Sequence, residues 1–143
     1  MNEPDAVESN TQVLQTFLEL FISGQWDRFD RVIATDCVLH EAGGLDIVGL
    51  EDMKALWRED YAPLKDMSAM DLAMASEGDT LMTLYTMKAN YEGSYRGQQI
   101  SGVPVVFNQA EAMRIVNGKI VEWWVVYDAE WLANQLGFEI KPK

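Results

Sequence analysis

Apolar residues recur every three or four positions near the start of the chain, which is the spacing of one face of a helix. This pattern covers residues 5–23, and two shorter segments of the same kind cover 26–34 and 50–61. Between the last two, residues 37–41 are predicted to form a short strand. The first part of the chain therefore predicts three helices and one strand.

After Pro63 the pattern changes to long runs of strand character joined by turn signals. The strands are predicted over 67–76, 80–91, 103–116 and 119–127, and a last helix over 128–136. Asn117-Gly118 lies between two apolar runs, and both residues tolerate the positive φ angles of a tight hairpin turn. Helices followed by antiparallel strands predict one α+β domain over 1–143, in which the helices pack on one face of a strongly curved, antiparallel or mixed sheet. Such a sheet leaves a cavity between the two layers.

Composition and charge make several classes of partner and location unexpected. Hydrophobic residues make up 48% of the chain and charged residues 24%, and the net charge is −12. An acidic surface disfavours nucleic acid and anionic membranes as partners. No uncharged apolar run is long enough for a membrane span, and the acidic, polar residues 1–10 do not resemble a signal peptide, so a cytoplasmic protein is expected.

The chain has one cysteine, Cys37, and one histidine, His40. An intrachain disulfide and a thiolate metal site are therefore excluded, and we expect no metal site. Cys37 lies in an apolar segment and is expected in the core.

Several motifs resemble one family. Residues 36–40 are similar to an Asp-apolar-apolar-apolar-His strand, and 49–51 to a glycine that opens a helix. The most specific match is Gly-Lys-Ile-Val-Glu-Trp-Trp over 118–124, followed by Asp128 and by Gln-Leu-Gly over 135–137. These features resemble the SnoaL-like polyketide cyclases, within the cone-shaped α+β superfamily of nuclear transport factor 2.

The resemblance implies a cofactor-free enzyme that uses acid/base catalysis on an apolar, polyketide-like or steroid-like molecule, in an aldol-type cyclisation or an isomerisation. By resemblance, Asp128 is the catalytic acid/base. Strict strand alternation puts Asp128 on the face of Trp124, which is expected to line the cavity. A carboxylate against apolar walls is desolvated, which raises its pKa. Asp128 could also cap the last helix, and the two roles are compatible.

Other polar residues are candidates beside Asp128. His40 could stabilise an enolate or shuttle a proton, or could be structural. Glu41, on the opposite face, is an alternative base by resemblance to the ketosteroid isomerases of the same superfamily, whose base lies on this first strand. Glu111 is expected either near Asp128 or at the rim of the sheet. Arg114 points away from Trp124 by alternation, but a bulge could turn it inward to hold an enolate.

A set of aromatic and methionine side chains could form either the core or an adaptable wall for a flat apolar ligand. Its members are Phe17, Phe21, Trp57, Tyr85, Met113 and Trp124. The other face of the last strand would carry Trp123 and Val125. This apolar outer face predicts a homodimer through the sheet.

Two alternatives to a cyclase or isomerase remain at this point. A non-catalytic ligand-binding or interaction module would need only the cavity or the apolar face. An epoxide-hydrolase-like hydrolase would need paired carboxylates with an arginine, that is, Asp128, Glu111 and Arg114 all turned inward.

Overall fold

The computed structural model describes residues 3–41 and 44–139, with side chains from Ser9 onward. Its elements in chain order are helix α1 (Glu3–Ile22), a 3-10 helix (Trp26–Arg31), β1 (Ile33–His40), β2 (Asp46–Val48), α2 (Leu50–Tyr61), β3 (Leu64–Glu77), β4 (Thr80–Tyr95), β5 (Gln98–Val116), β6 (Lys119–Tyr127) and α3 (Ala129–Gln135). No helix in this part of the chain is long and apolar enough to cross a bilayer.

The six strands form one mixed sheet in the order β2-β1-β6-β5-β4-β3. Strands β1 and β6 run parallel, and the other neighbours are antiparallel. The β5–β6 hairpin turns at Asn117 and Gly118, whose φ angles are 52° and 76°, as the Asn-Gly signal predicted. The α+β prediction is confirmed.

One predicted helix is shorter than expected. The segment 26–34 forms a 3-10 helix only as far as Arg31, and strand β1 begins at Ile33. Ile33 pairs with Ile120 of β6, and both side chains are fully buried. A β-branched residue is favoured in such a pairing, so the long-range contact with β6 ends the helical conformation here.

Two apolar clusters fill the concave side of the sheet. The first lies beneath α1 and α2 and includes Phe17, Trp57 and Trp123, and the second lies beneath α3. Tyr61, at the end of α2, packs against both clusters. Tyr61 therefore borders the part of the concave side that the two clusters do not fill.

A register shift in the β5–β6 hairpin decides which side chains face the concave side. Ile115 pairs with Ile120, but the next pair is Arg114 with Glu122. Val121 is therefore an extra residue in β6, a β-bulge. An extra residue exchanges the two faces of the strand beyond it.

Beyond this bulge, the side chains of β6 point to the opposite faces of the sheet from those that strict alternation predicts. Trp123 is 1% exposed and faces the helices, whereas Trp124 is 40% exposed on the outer face. Val125 is buried and Val126 is exposed. The predictions that Trp124 lines the cavity and that Trp123 and Val125 lie outside were wrong, because they assumed an unbroken alternation.

The outer face of the sheet is apolar, but it is made by other residues than those expected. The exposed large side chains there include Met82, Leu84, Trp124 and Val126, which line a shallow groove of about 360 Å³. A homodimer through this face stays a prediction.

We expect the protein to sediment at twice the 16.2 kDa mass of the chain and Val126→Glu to sediment as a monomer, because a carboxylate would be desolvated in the apolar contact. Analytical ultracentrifugation at several concentrations measures this. Ile22→Glu, on an even more exposed apolar residue of α1, should leave the dimer intact. A monomeric wild-type protein would contradict the prediction.

Candidate functional site

The open space on the concave side consists of two chambers that meet. A deep chamber of about 80 Å³ lies between α1, α2 and the sheet, and an outer chamber of about 300 Å³ lies between α2, the sheet and α3. Glu41, Tyr61 and Val125 line both chambers. Ligand sites for small molecules begin at roughly the size of the outer chamber.

The walls of the deep chamber are mostly apolar. They include Phe17, Leu18, Phe21, Trp57, Met67, Met87 and Trp123. The ring of Phe17 packs at 4.9 Å from the ring of Trp123 and at 5.7 Å from that of Trp57. Four of the aromatic residues proposed from the sequence as a ligand wall, Phe17, Phe21, Trp57 and Tyr85, therefore lie at this chamber.

Glu111 on β5 is the acidic group of the sheet that faces the deep chamber. Glu111 is partly exposed as a whole residue, but protein surrounds its carboxyl. Desolvation raises the pKa of this carboxyl from 4.5 to about 7. Hydrogen-bonding groups of Gln109, Tyr85 and Trp123 oppose the shift by favouring the charged form, whereas the negative charge of Glu41 adds to it.

Gln109 and Tyr85 hold the surroundings of Glu111 in place. The buried Gln109 Nε2 donates to the hydroxyl of Tyr85 at 2.6 Å and to Oε1 of Glu111 at 3.4 Å. Burial raises the pKa of the Tyr85 hydroxyl, and the nearby charge of Glu111 raises it further. Tyr85 therefore keeps its proton at neutral pH and remains a donor.

Two buried polar atoms near Glu111 have no hydrogen-bond partner within residues 9–41 and 44–139. They are Nε1 of Trp123 and Oγ1 of Thr83. Thr83 is the β4 residue directly opposite Glu111 in the sheet. The indole N–H of Trp123 faces the Glu111 carboxyl, whose charged form it favours, without reaching hydrogen-bond geometry.

Asp128 lies outside both chambers. Its exposed side chain caps α3, where Oδ1 accepts a hydrogen bond from the backbone N of Trp131 at 3.0 Å. The structure thus places Asp128 in the capping role, and the predicted position at the mouth of the cavity beside Trp124 is not found, because the bulge in β6 turned Trp124 outward.

His40 also lies on the outer face. Its Nδ1 is 2.7 Å from Asp46 and its Nε2 is 2.8 Å from Glu122, and its ring stacks on Trp124 at 5.1 Å. Hydrogen bonds to these two carboxylates, that to Glu122 first, raise the pKa of His40. His40 therefore links β1, β2 and β6 rather than lining the cavity, whereas Glu41, the next residue, lines both chambers.

The two remaining candidates from the sequence are not at the chambers. Arg114 is exposed on the outer face opposite Glu122, and Met113 is fully buried in the core. The described residues therefore do not assemble Asp128, Glu111 and Arg114 into the paired-carboxylate site that an epoxide hydrolase would need.

Sequence reasoning missed Gln109, Thr83, Tyr61 and Trp123. A signal for Gln109 existed, since it lies two residues before Glu111 on the same strand face. No local signal marks Trp123, because the neighbouring residue is also tryptophan.

Solved structures resemble this chain over almost its whole length. IdmH from Streptomyces antibioticus is 24% identical, with a TM-score of 0.80 over 90% of this chain and 99% of that one. A protein described as SnoaL-like, from Jannaschia sp. CCS1, is 14% identical, with a TM-score of 0.84 over 98% and 99%. An LEH-like epoxide hydrolase from M. tuberculosis is 16% identical, with a TM-score of 0.70 over 91% and 90%. At these identities the likeness shows the fold alone.

No curated protein sequence matches the chain. The model of one protein family, the SnoaL-like polyketide cyclases, matches residues 11–136. The fold is therefore the cone-shaped α+β fold of nuclear transport factor 2, as the sequence motifs implied, and the chain belongs to the SnoaL-like polyketide cyclase family.

Proposed function

We propose that the protein is a cofactor-free enzyme that moves a proton on an apolar carbonyl compound, in a ring closure or an isomerisation, with Glu111 as the general base. The observation that carries this proposal is the carboxyl of Glu111 in an apolar chamber, with its pKa raised to about 7. This proposal assigns to Glu111 the catalytic role that the sequence motifs implied for Asp128.

The pKa of Glu111 suits general base catalysis. A base with a pKa near the working pH is half ionised there and is still basic enough to take a proton from carbon. An exposed glutamate ionises near pH 4.3 and is a much weaker base. Desolvation is therefore what makes this carboxyl useful at neutral pH.

The cost of burying Glu111 also favours catalysis over simple binding. A chamber that only holds an apolar ligand needs no ionisable group, and a desolvated carboxyl lowers the stability of the fold. Such costly groups cluster at functional sites. The restraint of Glu111 by Gln109, which also holds Tyr85, is consistent with a group whose position matters for a reaction.

The chambers favour an apolar substrate with few polar atoms. Aromatic and methionine side chains form the deep walls, and the outer chamber adds the tyrosines Tyr91, Tyr95 and Tyr127. These walls fit a flat ring system of the polyketide or steroid kind. The acidic groups at the outer chamber, Glu41, Glu59 and Asp60, disfavour an anionic substrate.

Proton exchange on a model ketone tests the proposal without knowledge of the natural substrate. 2-Tetralone carries C–H groups that are acidified by its carbonyl, and its flat apolar ring system suits contact with aromatic walls. In D₂O at neutral pH we expect the protein to accelerate deuterium exchange at these positions over buffer, as measured by ¹H NMR. No acceleration for 2-tetralone or for larger fused-ring ketones would contradict the proposal.

A further inference from the structure

Trp123, which lines the deep chamber beside Glu111, carries a buried donor that makes no hydrogen bond within the described residues. The indole N–H of Trp123 has no partner within the described part of the chain, although the residue is 1% exposed. A buried donor without a partner costs about 1–3 kcal/mol, and native proteins keep few of them. An unused donor at a cavity therefore indicates a polar atom that arrives with the ligand.

The indole ring of Trp123 is held rigidly. Phe17 meets it edge-on at 4.9 Å, and Trp57 meets it at 5.5 Å with an interplanar angle of 71°. The direction of the N–H is therefore fixed before any ligand binds. A donor that is already oriented does not need to reorganise when charge develops on its acceptor.

The neighbouring donors are already engaged. The amide of Gln109 donates to Tyr85 and to Glu111, and the hydroxyl of Tyr85 lies against the Glu111 carboxyl. Indole is a donor and never an acceptor, so Trp123 selects for an acceptor atom in the ligand. Thr83, the second residue with an unpartnered buried atom, has a hydroxyl that could accept as well as donate and is less selective.

We propose that the Nε1–H of Trp123 holds the carbonyl oxygen of the ligand and makes the site selective for ketones over hydrocarbons of the same shape. This inference rests on the proposed function, since it places the carbonyl beside the base. Glu111 takes a proton from the carbon next to the carbonyl, the C–H electron pair forms a C=C bond, and the carbonyl oxygen becomes an enolate oxygen. The N–H of Trp123 stabilises that oxygen until a proton returns to carbon or a new C–C bond forms.

Binding of a matched pair of ligands tests this role. Calorimetry on 2-tetralone and on tetralin, its hydrocarbon analogue, gives the preference of the site for the carbonyl. We expect Trp123→Phe to weaken 2-tetralone binding about tenfold, as the loss of one hydrogen bond predicts, and to change tetralin binding little. Trp131→Phe removes an indole N–H outside both chambers and should leave the ratio of the two affinities unchanged.

A spectroscopic measurement keeps the test decisive if Trp123→Phe does not fold. In the wild-type protein the infrared C=O stretch of bound 2-tetralone should lie at lower frequency than in an apolar solvent, because its oxygen accepts a hydrogen bond. The same low frequency is expected in Glu111→Gln. An unshifted C=O stretch in the wild-type protein, or a folded Trp123→Phe variant with the wild-type affinity ratio, would overturn the inference.

The two proposals fail separately. If 2-tetralone binds with a shifted C=O stretch but exchanges no deuterium, Trp123 is a ligand contact and the acid/base function is wrong. If exchange is fast and Trp123→Phe leaves both ligand affinity and exchange rate unchanged, Glu111 is a base and the role of Trp123 is wrong.

Discussion

Glu111→Gln is expected to reduce protein-catalysed deuterium exchange on 2-tetralone at least about 100-fold and to leave its binding nearly intact. General base catalysis contributes roughly 10²–10⁴-fold to a rate, and glutamine cannot accept the proton. The amide has almost the shape of the carboxyl, so the chamber and its contacts with Gln109 remain. Exchange rates from ¹H NMR and affinities from calorimetry measure the two quantities separately.

Asp128→Asn is the matched control for this substitution. It also converts a carboxyl to an amide, and asparagine caps a helix about as well as aspartate, so the fold should not suffer. Asp128 lies outside both chambers, and its variant should exchange deuterium at the wild-type rate. Loss of exchange in Asp128→Asn together with normal exchange in Glu111→Gln would restore Asp128 as the base and contradict the present assignment.

The rate of deuterium exchange catalysed by the wild-type protein should also change with pH. A general base acts in its ionised form, so the exchange rate should rise with pH and level off above the pKa of Glu111, about 7 in the unliganded protein. The spontaneous reaction in buffer is measured at each pH and subtracted.

The fold could be predicted from the sequence because its main signals are local. Asn117-Gly118 determines the turn of the β5–β6 hairpin through the positive φ angles that these two residues tolerate. The helical periodicity of 5–23 and the long runs of strand character after Pro63 likewise need only neighbouring residues to be interpreted. The cavity followed from the layers that these elements form.

Which side of β6 is buried could not be predicted from local signals. Val121, Trp123 and Val125 are apolar, but so are Trp124 and Val126, so either face could have been buried. The bulge at Val121 settles the choice through the pairing of Arg114 with Glu122, which is a tertiary contact. With the wrong face, Trp124 and Asp128 were assigned to the cavity.

Glu111 illustrates the remaining difficulty. It lies on the same face of β5 as the buried Met113, since residues two apart share a face of a strand. What the sequence did not distinguish is a carboxyl at the sheet rim from a carboxyl in an apolar chamber. That difference depends on α1 and α2, whose rings of Phe17 and Trp57 form the chamber beside Glu111.

The second large effect expected of Glu111 is on stability. A carboxyl with a pKa of 4.5 when exposed and about 7 in the fold binds a proton more tightly in the native state. Between these two pH values the native state holds more protons than the unfolded state, so the free energy of unfolding falls as pH rises. The stabilising contribution is fully present below pH 4.5 and is lost as pH rises through about 7. The shift corresponds to roughly 3 kcal/mol at 1.36 kcal/mol per pKa unit.

Glu111→Gln has no such dependence, so its stability relative to the wild-type protein should increase by up to about 3 kcal/mol between pH 4 and pH 8. Urea unfolding of both proteins across this range measures the difference, and any constant cost of the substitution cancels in the comparison. Asp128→Asn, which removes an exposed carboxyl, should follow the wild-type curve far more closely. A difference between Glu111→Gln and wild type that stays constant with pH would mean that this carboxyl is not desolvated in the native state, and its assignment as a base near neutrality would then fall.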